Sequence, residues 1–344
     1  MNNIIKFSYT KNIINQSLKI IDVIEILDII EIKLALIVDD NNKLVGTITD
    51  GDVRRALLKK INTDDECRTI MNISPIYANE SDDHTHVYNL LKKNRIAIPI
   101  VDKNKKITSL THLGELNKTT KNNIVFIMAG GRGERLMPLT IDTPKPLLPI
   151  NNKPIIKQII DNIKKYRFNN IHISVNYKSE KLINYLGNGK DQDLTFTYIN
   201  EDKALGTAGA LSLLKDIPDR PIIVINGDIL TGINLEQLLY YHNSSGKKIT
   251  MCAANHKVPV PYGTIEVDGT TITEIEEKPL KTYLVNAGIY VIEPIIISKM
   301  KKNIKIDMTE IINNYVSKQE VSIYPLHEQW IDIGSHEDYE KAQK

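Results

Sequence analysis

Only two cysteines occur in the 344-residue sequence, Cys67 and Cys252, far apart and with no partner at metal-ligand spacing. Neither a disulfide framework nor a cysteine metal centre is expected. Charge of one sign is also lacking: 44 Lys and Arg against 42 Asp and Glu leave a formal net charge of +2. With no basic excess, no nucleic-acid partner is expected. Long apolar runs are missing too, and the chain opens on polar Met1-Asn2-Asn3. A cytoplasmic protein with no membrane partner is the expectation. The hydrophobic content of 42% supports a sizeable core, and the length predicts two domains or one with a large appendage.

What is present is concentrated between residues 124 and 149. The apolar run Ile124 to Met128 leads into Ala129-Gly130-Gly131-Arg132-Gly133-Glu134-Arg135, and Lys145 follows between Pro144 and Pro146. Glycines let backbone N–H groups close on phosphate oxygens, and fixed cations neutralise the charge. Two commoner glycine loops are excluded. No Gly-Lys-Ser/Thr closes the loop, so it is not a P-loop. A dinucleotide fingerprint needs a third small residue where Leu136 stands, followed by a helix, and Pro138, Pro144, Pro146 and Pro149 break up that stretch. Phosphate is expected on loop amides with Arg and Lys.

At this point the chain resembles the sugar-1-phosphate nucleotidylyltransferases, whose signature is the same A-G-G-x-G-x-R-L…P-L-T…P-K-P run. The resemblance covers about residues 123 to 344. It implies that Met128, Ala129, Gly130, Gly131 and Gly133 hold a nucleoside triphosphate, with Arg135 and Lys145 as the cations of the reaction.

Downstream, Ile155 to Tyr166 reads as an amphipathic helix, Ile171 to Val175 as a strand, Lys181 to Leu186 as a helix and Leu194 to Ile199 as a strand. This alternation predicts an α/β domain, a Rossmann-like mostly parallel mixed sheet with ligands at the carboxyl ends of its strands. Pro221 to Ile225 is an apolar run that stops at Asn226-Gly227-Asp228. A carboxylate at a strand end beside a glycine suits Mg²⁺, and Asp332 in Trp330-Ile331-Asp332-Ile333-Gly334 is the second candidate. Both match the family's metal ligands. Glu201 to Leu211 carries Gly206, Thr207, Ala208 and Gly209, small residues that leave room for a base. The stretch matches the family's base-recognition region and most resembles its GTP-using members. Glu201 can accept from the two donors on guanine, where uracil and thymine offer one. Tyr262-Gly263 follows a proline-rich loop, Glu276-Glu277-Lys278-Pro279 ends a strand, and Val285 to Tyr290 begins another. The resemblance implies that Gly263, Glu277 and Asn286 line the sugar pocket and that Lys278 binds the sugar phosphate. Lys305 to Glu310 also fits the family, in a structural role. No hexapeptide repeat follows Tyr339, so a uridylyl-acetyltransferase is not expected.

Residues 1–118 read as a separate α+β module of two similar halves, about 1–60 and 61–118. In the first, Ile13 to Ile30 is a helical pattern, Leu34 to Val38 and Leu44 to Ile48 are strands, and a helix carries Arg54, Arg55 and Leu58. In the second, a helix around Val87 to Leu91 precedes strands Ile96 to Val101 and Ile107 to Leu110 and a short helix near Leu113 to Leu116. With Gly-Thr-Ile-Thr-Asp-Gly-Asp-Val-Arg-Arg at residues 46–55, this half resembles a tandem CBS-domain pair. The resemblance implies an adenine nucleotide with Thr49 on phosphate and Asp52 on ribose. Gly114 stands where the second half should have its Asp, so one complete site at most is expected. Residues 119–123 have linker composition, and 124–344 form the catalytic domain.

The expected activity is Mg²⁺-dependent transfer of a nucleotidyl group, GMP from GTP, to a sugar-1-phosphate, with pyrophosphate released. Among members with a CBS pair, glucosamine-1-phosphate for a legionaminic-type surface glycan is the leading substrate. Mannose, heptose or glucose phosphates with UTP, dTTP or CTP are alternatives, as is a non-catalytic nucleotide-sensing regulator. A homo-oligomer is expected.

Overall fold

The computed structural model describes residues 4–7, 9–30, 32–94, 97–113 and 121–343. The chain divides into two compact units, Met1–Thr119 and Thr120–Lys344.

The first unit contains β1 (Ile4–Phe7), β2 (Ile13–Asn15), α1 (Ile20–Ile29), β3 (Leu34–Val38), β4 (Leu44–Thr49), α2 (Asp50–Leu58), β5 (Ala78–Asn79), α3 (His84–Asn94), β6 (Ile98–Val101) and β7 (Ile107–Leu113). Its two halves are built alike. In one, β2 pairs parallel with β3, which pairs antiparallel with β4; in the other, β5 pairs parallel with β6, which pairs antiparallel with β7. The turns match as well. Asp39 Oδ1 accepts the amides of Asn41 and Lys43, and Asp102 Oδ1 accepts those of Asn104 and Lys106. Such Asx turns explain the acidic start of each hairpin loop.

The helix expected over Ile13 to Ile30 is shorter. Ile13–Asn15 is strand β2, because Ile13 and Ile14 find ladder partners in Leu36 and Ile37, and α1 begins only at Ile20. Strand β7 runs on to Leu113. The rest of the helix expected near it, and Gly114, lie outside the described residues.

The second unit contains β8 (Val125–Met128), the two-residue strands β9 (Pro149–Ile150) and β10 (Lys153–Pro154), α4 (Ile155–Lys165), β11 (Asn170–Val175), α5 (Ser179–Leu186), β12 (Thr195–Asn200), β13 (Ile222–Asn226), β14 (Ile229–Thr231), α6 (Leu235–Ser245), β15 (Ile249–Pro259), β16 (Thr264–Asp268), β17 (Thr271–Glu276), β18 (Leu280–Ile292), α7 (Pro294–Ser298), α8 (Met308–Val316), β19 (Val321–Pro325), β20 (Trp330–Asp332) and α9 (His336–Ala342). Seven strands form the central sheet in the order β12-β11-β8-β13-β18-β15-β19. All its pairings are parallel except those of β18 with β13 and with β15. Because side chains alternate along a strand, Val125 and Ile127 of β8 enter one core while Phe126 enters the other. The first core takes the apolar stripe of α4, with Ile155, Ile156, Ile159, Ile160 and Ile163 buried. Fully burying each such side chain contributes roughly 1.5–3 kcal/mol.

Two expectations change here. Val285 to Tyr290 does not begin a strand but lies within the 13-residue β18, whose outer part pairs with β15 out to Pro259. Residues 121–123 belong to the second unit instead of forming a free linker. The Lys121 amide donates to Arg167 O at 2.9 Å and Asn123 Nδ2 to Pro221 O at 2.7 Å. Residues 119 and 120 lie outside the described residues. Among the described residues no helix is long and apolar enough to cross a membrane.

Candidate active site

The parallel order of β11, β8 and β13 brings their carboxyl ends together, and the glycine loop leaves from the middle one. The start of the loop is fixed by its neighbours. Met128 O accepts the Gly227 amide at 2.8 Å, and the Ala129 amide donates to Ser174 O at 3.1 Å. These two predicted nucleotide contacts therefore have backbone groups already committed to the sheet. Beyond them, the amides of Gly130, Gly131, Arg132 and Gly133 donate no hydrogen bond among the described residues. Four successive free amides suit an anion. Gly133 has φ +66°, and a Cβ there would lie 3.0 Å from Lys145 Cβ and 3.0 Å from Thr140 Cγ2. A side chain would push Lys145 away from the loop. As the prolines imply, only single helical turns follow, at Glu134–Leu136 and Lys145–Leu147.

The two acidic candidates, 104 positions apart in the sequence, converge. Ile229 in β14 is the register partner of Asp332 in β20, and the Ile333 amide donates to Asp228 O at 3.1 Å. Lys145 Nζ donates to Asp228 Oδ2 at 2.5 Å. Arg135 closes the other side: a Cβ on Gly334 would sit 3.6 Å from an Arg135 nitrogen and 3.7 Å from Asp332 Oδ1. Burial first, and then the charge of Asp228, push the Asp332 pKa up from its ordinary value, while Lys145 and Arg135 pull it down. Asp332 is itself solvent-exposed, so this is a crowded carboxylate, not a sealed one. Two oxygen donors that repel one another fit a hard divalent cation, which would relieve that repulsion.

The approach of Asp228 to the loop depends on Gly227. A Cβ at that position would meet Met128 O at 2.7 Å and Ala129 Cα at 3.2 Å. Neither Gly227 nor Gly334 was among the candidates, although Gly227 adjoins Asp228 and Gly334 lies two residues after Asp332. Asp338 was also missed. Its Oδ2 accepts from Ser335 Oγ at 2.6 Å, its amide donates back to that oxygen, the N-cap of α9, at 3.3 Å, and its charge adds to that around Asp332. Its only sequence signal is the Ser-x-x-Asp cap pattern.

Glu201 is 8% exposed and packs against the loop; a Cβ on Gly130 would lie 2.6 Å from its Oε1. Its Oε2 accepts the Leu205 amide at 3.1 Å. Desolvation raises its pKa, opposed by hydrogen bonds from Leu205 and Ser174. The carboxyl group thus already ties the 201–205 turn to the fold. Gly206 has φ +76°, with Asp307 Oδ1 and Ile306 O each 2.7 Å from where a Cβ would be. Thr207 gives its amide to Asp307 Oδ1 at 2.8 Å and takes the Met308 amide on Oγ1 at 2.9 Å. Its polar atoms buttress the turn against the start of α8, where Asp307 and Glu310 form a capping box.

Of the sugar-side candidates, Asn286 lies within β18, the neighbour of β13 in the central sheet. Its Nδ2 donates to the Tyr290 hydroxyl at 2.7 Å, and its Oδ1 accepts the Gly288 amide at 3.0 Å. Burial chiefly, with Asp228 contributing, pushes the Tyr290 hydroxyl up to about 12. Gly263 and Glu277 face each other, since a Cβ on Gly263 would be 2.9 Å from Glu277 Oε2. Lys278 is exposed, at a left-handed φ of +48°. Among the described residues no hydrogen bond or ion pair joins it to the Lys145–Asp228 pair. In the first unit, Thr49 and Asp52 do come together: Thr49 N and Oγ1 donate to Asp52 Oδ2 at 2.8 and 2.6 Å, and Arg55 Nη2 donates to Asp52 Oδ1 at 2.6 Å.

Comparison with known proteins decides the family. The family model described as Nucleotidyl transferase matches residues 124–344, and the CBS domain model matches residues 14–59 and 67–116. The chain belongs to the nucleotidyl transferase family. This nucleotidyl transferase is 32% identical over 223 residues to the mannose-1-phosphate guanyltransferase of Debaryomyces hansenii, covering 62% of each chain. It is 33% identical over 227 residues to the bifunctional protein GlmU of Methanocaldococcus jannaschii, covering 64% of this chain and 53% of that one. Thus the chain spans less than two thirds of the length of either relative. Among solved structures, HddC from Yersinia pseudotuberculosis superposes with a TM-score of 0.50 at 28% identity, covering 64% of this chain and 98% of that one.

Proposed function

We propose that this nucleotidyl transferase moves a nucleotidyl group from a nucleoside triphosphate to a sugar-1-phosphate and releases pyrophosphate. The observation that carries the reading is the meeting of Asp228, Asp332, Lys145 and Arg135 beside the free amides of residues 130–133. A sugar-phosphate oxygen is already ionised at neutral pH, so the reaction needs no general base. It needs the two phosphates held in line and their charge neutralised. The loop amides and Arg135 bind the triphosphate, and Lys145 lies where charge develops on the transferred phosphoryl group. Asp228 and Asp332 would hold Mg²⁺, which when bound supplies further positive charge to the phosphates. Gly263, Glu277 and Asn286 receive the sugar, and Lys278 meets its phosphate.

GTP is the favoured donor, supported by the similarity to a guanyltransferase and by the carboxyl group of Glu201 beside the loop. Mannose-1-phosphate is the first acceptor to test and glucosamine-1-phosphate the second. Pyrophosphate release measured for four triphosphates against mannose-, glucosamine-, glucose- and heptose-1-phosphate tests the reading. Turnover with GTP and one acceptor is expected; no release from any pair would refute it.

Residues 1–118 are proposed to tune this activity by holding an adenine nucleotide at Thr49 and Asp52, supported by the CBS match. Because Arg55 already occupies Asp52 Oδ1, a ribose must displace that guanidinium. Calorimetry of the full chain with ATP, ADP and AMP, repeated on Asp52→Ala, tests the site. Heat that is unchanged by the substitution would exclude Asp52.

A further inference from the structure

Strands β16 and β17 form a two-stranded ribbon that pairs with no other strand among the described residues. Cross-strand partners share a face, so the pairs Ile265–Ile275 and Val267–Ile272 put four β-branched side chains on one side. A bulge between Glu266 and Val267 keeps Ile272 and Ile275 together on that side. All four are between 54% and 65% exposed. The other side is acidic, with Glu266 directly opposite Glu274. Residues 258–277 hold five carboxylates and no Lys or Arg. An isolated two-stranded ribbon is marginal in water and needs a further layer on its apolar face. At this exposure the described residues of the chain supply none.

The outer halves of β15 and β18 form a companion ribbon. There Lys257 is the register partner of Thr282, which stands between Leu280 and Leu284 on one face. Lys257 and both leucines are exposed, and Lys257 has no carboxylate partner among the described residues. Residues 255–259 and 280–285 contain Lys257 and Lys281 but no Asp or Glu. Among the described residues a single ion pair, Lys281 Nζ to Glu276 Oε2 at 3.2 Å, joins the two ribbons within the chain. One ribbon is thus aliphatic and acidic, the other aliphatic and basic.

A second copy related by a two-fold axis offers each ribbon the other's complement. Stacking the aliphatic faces removes them from water, and the opposite charges then attract within a Debye length of about 10 Å. Acidic ribbon on acidic ribbon would repel over the same distance, as would an anionic membrane surface. A stable interface takes about 800 Å² from each partner. The four aliphatic residues, the two leucines and the exposed Tyr262 and Tyr283 make a patch of that order.

We propose that this arm, residues 255–285, is the interface between two copies of the chain, with the β16–β17 ribbon of each copy packed on the outer β15–β18 ribbon of the other. The arm also carries Gly263, Glu277 and Lys278, so the second copy supports the sugar side of the site. That consequence rests on the sugar-phosphate reading above, whereas the interface does not.

Sedimentation velocity of the full chain across the micromolar range tests the interface, and a dimer is expected for the wild type. Ile265→Asp/Ile275→Asp should raise the dissociation constant by about a hundredfold or more. Glu266→Lys separates loss of the interface from failure of the arm to fold. It replaces a like-charge pair with Glu274 by an opposite-charge one, which strengthens the hairpin itself, yet it opposes the partner's basic ribbon. Weakening of roughly tenfold with unchanged circular dichroism is expected. A monomeric wild type, or a dimer left intact by both variants, would overturn the interface. Weakening in the isoleucine variant alone would overturn the charge-matched stacking. The KM for sugar-1-phosphate should rise in the isoleucine variant while that for triphosphate is unchanged. Equal KM values would overturn the support of the sugar side and leave the interface standing. Sedimentation reads the interface whether or not the chain turns over, so the two failures are distinguishable.

Discussion

Asp52 in the first unit and Asp228 in the second each follow a β-strand and a glycine, yet their surroundings differ. Both oxygens of Asp52 are satisfied within a few residues, by Thr49 and by Arg55, and it completes the cap of α2. Asp228 is brought against a second carboxylate from a strand about a hundred residues away, and desolvation first, then the charge of Asp228, raises the Asp332 pKa. A carboxylate satisfied by its own turn stabilises a helix. A pair assembled at electrostatic cost is arranged for something the chain does not itself contain. The difference separates an acid satisfied within its own turn from one crowded by a distant carboxylate, where local sequence makes them look alike.

The largest effect should come from breaking the functional side. Asp228→Asn should lower pyrophosphate release on the order of 10²-fold or more, with folding intact by circular dichroism, because one preorganised charge is lost at the reacting phosphates. Wild-type turnover in that variant would remove Asp228 from the reaction. Gly227→Ala should come next. Its Cβ meets backbone at 2.7 Å, so a stability loss of about 1–3 kcal/mol in chemical unfolding is expected, with reduced turnover as Asp228 shifts from the loop. Asp52→Ala should cost about 1 kcal/mol through the lost cap while basal turnover is retained. A collapse of basal activity would show that the comparison draws the line in the wrong place.

The smallest effect concerns pH. Burial raises the Glu201 pKa in the folded chain, so ionising it opposes folding. Its stabilising contribution is full below the pKa of an unfolded glutamate and is lost as pH rises through the folded value. Glu201→Gln should flatten that decline in melting temperature between acid and neutral pH. A steeper decline in the variant would reverse the sign of the argument.

The catalytic half was legible in sequence to the extent that its signals are local. The glycine loop, the proline-broken stretch after it and the strand ending at Asn226 all depend on short-range sterics, and each stands where its residues imply. That Asp332 meets Asp228 follows from register between β14 and β20, three-residue strands too short to announce a pairing. Long-range packing also decides what short-range pattern cannot show. Ile13 and Ile14 fit a helical stripe but are drawn into a ladder by Leu36 and Ile37. The polar atoms of Thr207 are taken by Asp307 and Met308, about a hundred positions away. The start of β18 is expected only at Val285 because its outer part is exposed and only its inner part carries a continuous apolar run.

The most direct test of a shared cation at Asp228 and Asp332 is a Mn²⁺ titration followed by electron paramagnetic resonance on wild type, Asp228→Asn and Asp332→Asn. If the two carboxylates hold one ion, each single substitution removes the same equivalent of bound Mn²⁺ per chain. Retention of that equivalent in both variants would contradict the account.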